Sequence, residues 1–87
     1  PEAAMVSGLG LHTVAWVDGP PHGLGGGVPS LAQCSAHGPT RPCTVTGGGD
    51  RLEIAFAEPS ARIAPGQTVA LYDPERPERV VGSGVVG

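Results

Sequence analysis

The chain has 87 residues, which permits one domain with a thin core, because a domain of this size buries only about 60 to 65% of the surface its unfolded form exposes. Its 15 glycines and 10 prolines exceed a quarter of the residues, yet they cluster between apolar runs and read as turn punctuation rather than as disorder. A net charge of -3, with Arg41, Arg51, Arg62, Arg76 and Arg79 as the five basic residues, excludes nucleic-acid binding by bulk electrostatics and leaves only a local patch or a larger parent protein for such a role.

In chain order, residues 1–10 carry no period and two glycines, and the expectation is a linker or cut edge. Leu11 to Val17 alternates, with Leu11, Thr13, Ala15 and Val17 on one side and His12, Val14 and Trp16 on the other, and predicts a strand. Asp18 to Pro29 holds five glycines and three prolines and predicts a long mobile loop without regular structure. Leu31 to His37 predicts a second strand with Ala32, Cys34 and Ala36 inward, and Cys43 to Thr46 a third with Cys43 and Val45 inward. The cleanest period of two runs from Arg51 to Ala57, where Leu52, Ile54 and Phe56 share a face until Pro59 ends the strand. Ala64-Pro65-Gly66-Gln67 has the residues of a type II turn, since Pro presets φ at the second place and Gly accepts positive φ at the third. Gln67 to Tyr72 and Arg79 to Val86 predict the last two strands, with Gly82 and Gly84 marking a sharp bend or a close approach of another backbone. Six short strands and no amphipathic helix predict an all-β domain: a small six-stranded antiparallel barrel over residues 11–87, closed or nearly so.

Chemistry is sparse. "GLGGG" lies in a proline-rich loop with no strand and helix around it and lacks the Lys-Ser/Thr ending of a phosphate-binding loop. Cys34, His37 and Cys43 have a C-x2-H-x5-C spacing that His12 or His22 could complete as a metal site. The stronger reading is two buried thiols: with residues 38 and 39 at a hairpin tip, positions 34 and 43 stand opposite each other facing the interior, which also leaves a redox-active cross-strand pair open. Asp18, Asp50, Asp73, Glu75 and Glu78 fall in turns and Glu53 on an outward face, so no catalytic residue and no metal site is expected. Trp16 and Tyr72 could stack on a base, although two aromatics suit core or rim packing better. No window approaches the ~18 apolar residues of a membrane span and the start lacks signal-peptide character, which predicts a soluble, cytoplasmic chain with reduced cysteines.

The segment "APGQTVALYDPERPERVVGSGVVG" resembles the C-terminal end of the bacterial tRNA-specific 2-thiouridylases, whose last domain carries a V-x-PGQ-x-x-V-x-Y turn and strand and then a hairpin with a glycine-rich final strand. Pro65, Gly66, Gln67, Tyr72, Gly82 and Gly84 fall on that pattern as structural positions. "AQCSAHG", from Ala32 to Gly38, is similar to the family's V-Q-V-R-A-H-G, with Ser35 where the family has Arg and Cys34 where it has Val. The resemblance covers roughly residues 11–87. It implies a barrel like those of translation elongation factors. That barrel would be a non-catalytic, tRNA-positioning part of an enzyme that thiolates the wobble uridine at its 2-position. The fragment would bind no cofactor itself, while the parent would use ATP and magnesium. Implied partners are tRNA, the parent's catalytic and central domains and a sulfur-relay donor, with no membrane. On this reading Arg41, Arg76 and Arg79 are the candidate phosphate contacts. The competing expectation is a protein-interaction module without a nucleic-acid role, suggested by the acidic charge and the apolar loop.

Overall fold

The computed structural model describes residues 5–87. They form six strands, β1 (Met5–Trp16), β2 (Val28–Gln33), β3 (Thr40–Gly48), β4 (Arg51–Ala61), β5 (Thr68–Asp73) and β6 (Arg76–Val86), with one turn of 3-10 helix at Leu24–Gly26 and no α-helix among the described residues. The strands close into an antiparallel barrel in the order β1-β4-β3-β2-β5-β6, the seam being β6 against β1. Closure leaves no long edge open to pairing with another chain.

The interior is the set of apolar side chains that alternation aims inward. Leu52, Ile54 and Phe56 of β4 meet Val45 and Cys43 of β3, Ala32 of β2, Val69 and Leu71 of β5, Val86 of β6 and Leu11 of β1 in one contiguous core. Each large aliphatic side chain there contributes about 1.5–3 kcal/mol by leaving water, so the ring can hold itself together despite its small size. In β6, Gly82 and Gly84 face inward because β1 passes close by. A Cβ on Gly84 would sit 2.8 Å from the Leu11 Cβ, and one on Gly82 would sit 2.5 Å from the Trp16 ring. The close approach expected for these glycines is made by β1, through the Ala15 backbone carbonyl as well as the Trp16 ring at Gly82 and through the Leu11 side chain at Gly84.

Several boundaries differ from the sequence reading. Residues 5–10, expected as a linker, form the first half of β1, paired with β4 from Met5↔Ala61 to Gly10↔Glu53; residues 1–4 lie outside the described residues. Pro59 does not end β4. It falls in the irregular stretch between the Ala55 and Ser60 pairings with β1 and beyond the last pairing with β3, so its missing N–H breaks no ladder. Pro29, Pro42 and Pro77 follow the same rule, each absent from at least one neighbouring ladder.

The long loop after β1 is partly tied down, because Leu24 on the 3-10 turn is buried in the core. β2 starts at Val28 and stops at Gln33, leaving Ala36 exposed in the following turn. In β1, the alternation of "HTVAWV" breaks at Thr13, which has φ 54, a strained value for a β-branched residue. The bulge moves Val14 and Trp16 onto the face that Leu11 occupies, all three packing with the core. The Asp50 carboxylate accepts the freed Val14 N–H at 2.8 Å.

Candidate functional site

The expected type II turn is present and fixes one end of the barrel. Gly66 has φ 91, the Gln67 N–H donates to the Ala64 carbonyl at 3.3 Å, and the turn is laced to the last strand by Gly66 N–H to Val86 O and Val86 N–H to Gln67 O, both 2.8 Å. Pro65 and Gly66 thus set the chain direction, and Gln67 is delivered to the rim as the last residue before β5. Beside the turn lies a pocket of about 250 Å³, lined by Cys34, Arg41, Ser60, Arg62 and Gln67 among others.

The opposite end, where β5 turns into β6, carries a larger cleft of about 430 Å³. Trp16, Pro20, Ser30, Tyr72, Arg79 and Val80 contribute to it. That the two hollows lie at opposite ends follows from the strands that serve both: Val28 to Ser30 of β2 and Leu71 to Asp73 of β5 line the cleft, whereas Cys34 and Gln67, beyond the other ends of those strands, line the pocket. Tyr72 links the cleft to the outer wall. Its hydroxyl donates to Gln33 Oε1 at 3.0 Å, the Gln33 amide donates to the Gly38 carbonyl at 3.0 Å, and the Tyr72 carbonyl accepts from Ser30 Oγ at 3.0 Å.

The structure separates the three arginines that the sequence groups. Arg76 stands opposite Asp73 in the β5–β6 hairpin. Arg79 donates to Asp18 at 3.4 Å across the cleft mouth, an exposed pair of small energetic weight. Arg41 lies at the other end, half-buried, and shares the pocket with Arg62, a residue the sequence reading did not select. Arg62 sits in the aperiodic stretch between β4 and the turn. The one available signal was its place shortly before a Pro-Gly turn that had to come back against the β2–β3 connection.

Cys34 and Cys43 are both buried and free. They are not cross-strand partners: the β2–β3 register pairs Cys43 with Ser30, because the turn at Ser35–Gly38 centres the hairpin on Ala36 and His37 in place of residues 38 and 39, which moves the partner of Cys43 from position 34 to position 30. Burial pushes both thiols up, Cys43 to about 11 with the neighbouring Cys34 adding to the effect, while the Arg41 guanidinium partly offsets the rise at Cys34. Both remain protonated at neutral pH and are poor nucleophiles and poor metal ligands. His37 is exposed in the turn, and among the described residues no three His, Cys, Asp or Glu side chains gather as a metal-holding group. Among the described residues no helix is long and apolar enough to cross a membrane.

The family model described as "Aminomethyltransferase beta-barrel domain" matches residues 6–86. Among curated relatives, the tRNA-specific 2-thiouridylase MnmA of Streptomyces griseus is 38% identical over 98% of this chain and 21% of its own length. That of Streptomyces avermitilis is 38% identical over 99% and 22%, and that of Methylobacterium radiotolerans 30% identical over 97% and 22%. The chain therefore spans about a fifth of the length of these relatives.

Proposed function

This chain belongs to the aminomethyltransferase β-barrel domain family, and from that membership we infer that it serves as the C-terminal auxiliary barrel of a tRNA 2-thiouridylase. In this reading the barrel positions tRNA and packs against the catalytic and central domains, while wobble-uridine thiolation occurs elsewhere in the parent. ATP and magnesium would be held by the parent's catalytic domain, and a sulfur-relay donor would dock there too. The parent would work in the cytoplasm.

The observation that carries the reading is the coverage: relatives that share a name match this chain from end to end, yet only over about a fifth of themselves. The chemistry of the chain agrees, since its two thiols are buried and protonated and its carboxylates are spread over turns and outward faces. A second reading, a protein-docking module, draws on Val17 and Val80, which stand 63% and 40% exposed beside the larger cleft.

The test uses the parent enzyme with and without residues 5–87. Removal should raise the Kd for unmodified tRNA at least tenfold, while ATP consumption with a saturating anticodon stem-loop persists. An unchanged tRNA Kd together with lost association between the parent's remaining domains would favour the docking reading instead.

A further inference from the structure

We propose that the pocket beside the Pro65-Gly66-Gln67 turn binds a phosphodiester of the RNA backbone, with Arg41 and Arg62 as the anion-holding residues. The proposal rests on the reading of this chain as a tRNA-positioning domain and adds the site and its residues.

Two arginines from separate parts of the chain, one on β3 and one after β4, are brought to the same 250 Å³ hollow. Among the described residues neither has a carboxylate within 4.0 Å, and the one ion pair is Arg79 with Asp18, at the other end of the barrel. Arg41 is half-buried and Arg62 exposed, and an anion seated in the hollow they both line would have two cationic groups beside it. Glu58, the acidic residue nearest in sequence to Arg62, is exposed and forms no ion pair.

The guanidinium of Arg41 already acts on the pocket interior, since it opposes the effect of burial on the Cys34 thiol. Arginine suits a phosphodiester because its planar fork donates two parallel hydrogen bonds to two phosphate oxygens. Gln67, held at the rim by the turn's bonds to β6, adds a neutral donor. Ser60 contributes less, because its hydroxyl donates to the Ala61 carbonyl at 3.3 Å. The chain's net charge of -3 keeps RNA off the rest of the surface, so a local site would set both affinity and orientation.

The experiment is amide-resolved NMR titration of the 87-residue chain, whose closed ring and single core make it a self-contained folding unit. The probes are an unmodified tRNA transcript with uridine at the wobble position and, separately, inorganic phosphate. The tRNA is expected to move the amides of residues 34–41 and 60–67. In a salt series the slope of log K should fall by about two in R41A/R62A, one unit per lost phosphate contact, with affinity at low salt down about tenfold or more. R41K/R62K should recover part of the loss, and R51A, which removes one charge from the start of β4, should shift affinity less than twofold.

Movement confined to residues 16–20 and 72–80, or a loss in R76A/R79A in place of R41A/R62A, would overturn the pocket while leaving tRNA positioning intact. Movement by inorganic phosphate with none by tRNA would make the pocket a small-anion site and overturn its assignment to RNA. No movement with either probe would overturn both the pocket and tRNA binding by this domain.

Discussion

The two ends of the barrel are built from the same strands and differ in how their charges are matched. At the β5–β6 end, Arg79 pairs with Asp18, and Arg76 lies in a hairpin that also carries Asp73, Glu75 and Glu78. At the turn end, Arg41 and Arg62 share a hollow with no carboxylate partner among the described residues. A basic residue whose charge is already answered is a solubility device, whereas one left unanswered in a concave site is available to a ligand. The number of arginines along a sequence therefore says little about binding until closure of the sheet decides which of them meet acids.

The comparison can be broken at either end separately. The largest effect is expected from Gly82→Val, which drives new methyl groups into the Trp16 ring and the Ala15 carbonyl. Overpacking of this kind costs about 1–3 kcal/mol, the upper part of that range applying where backbone is also struck. Urea unfolding followed by Trp16 fluorescence should show the loss, and amide shifts should concentrate along the β1–β6 seam with the turn end little changed. Uniform changes throughout the barrel would mean that the ends are one cooperative unit and that the contrast between them has no energetic basis.

At the turn end the thiols provide a second lever. Because burial holds Cys43 protonated in the folded chain, with a value of about 11 against 9.0 for the free thiol, its contribution to stability is complete below pH 9 and is lost as pH rises through 11. The difference in unfolding free energy between the wild-type chain and Cys43→Val should shrink by about 2 kcal/mol between pH 8 and pH 11. A pH-independent difference would place the Cys43 thiol in contact with water.

Gly66→Val should cost about 1–2 kcal/mol, since a β-branched residue does not tolerate φ 91. It should also weaken the proposed tRNA contact by loosening Gln67 and its bonds to Val86, with no effect on the Trp16 signal. Wild-type stability in this variant would mean that the turn can change type at no cost, and that the Pro-Gly pair is not what positions the pocket.

Much of this architecture was legible in the sequence. Leu52, Ile54 and Phe56 declared β4 and the inward face of the barrel, and Pro65-Gly66 declared the turn, because alternation and positive φ are local properties that residue type controls directly. What could not be read depended on partners distant in the chain. Thr13 takes a strained conformation because Asp50, far along the sequence, accepts the N–H that the bulge releases. Pro59 sits inside a strand because both neighbouring ladders lapse there. Gly8 and Gly10 obscured the first half of β1, whose evidence lies in its pairing with β4. For the site the same division holds: Arg41 was visible as a basic residue near a hairpin, but its companion could be found only after the sheet had closed, and Arg79 looked equivalent to it until Asp18 was placed beside it.

The smallest effect tests the comparison most directly. Asp18→Asn removes the charge that answers Arg79 without changing the shape of the cleft. Stability should move by less than about 0.5 kcal/mol, because both partners are mainly solvated and exposed pairs contribute little. If matching of charge were the whole difference between the ends, freeing Arg79 would create a second RNA-binding end, with tRNA affinity rising by as much as loss of one pocket arginine lowers it. The expected rise is less than about twofold, since Arg79 stands 52% exposed on a strand, where water competes for its donors and no second arginine shares its ligand. Affinity rising tenfold would show that an unmatched charge suffices and that the pocket's concavity, half-buried Arg41 and paired Arg62 add nothing to it.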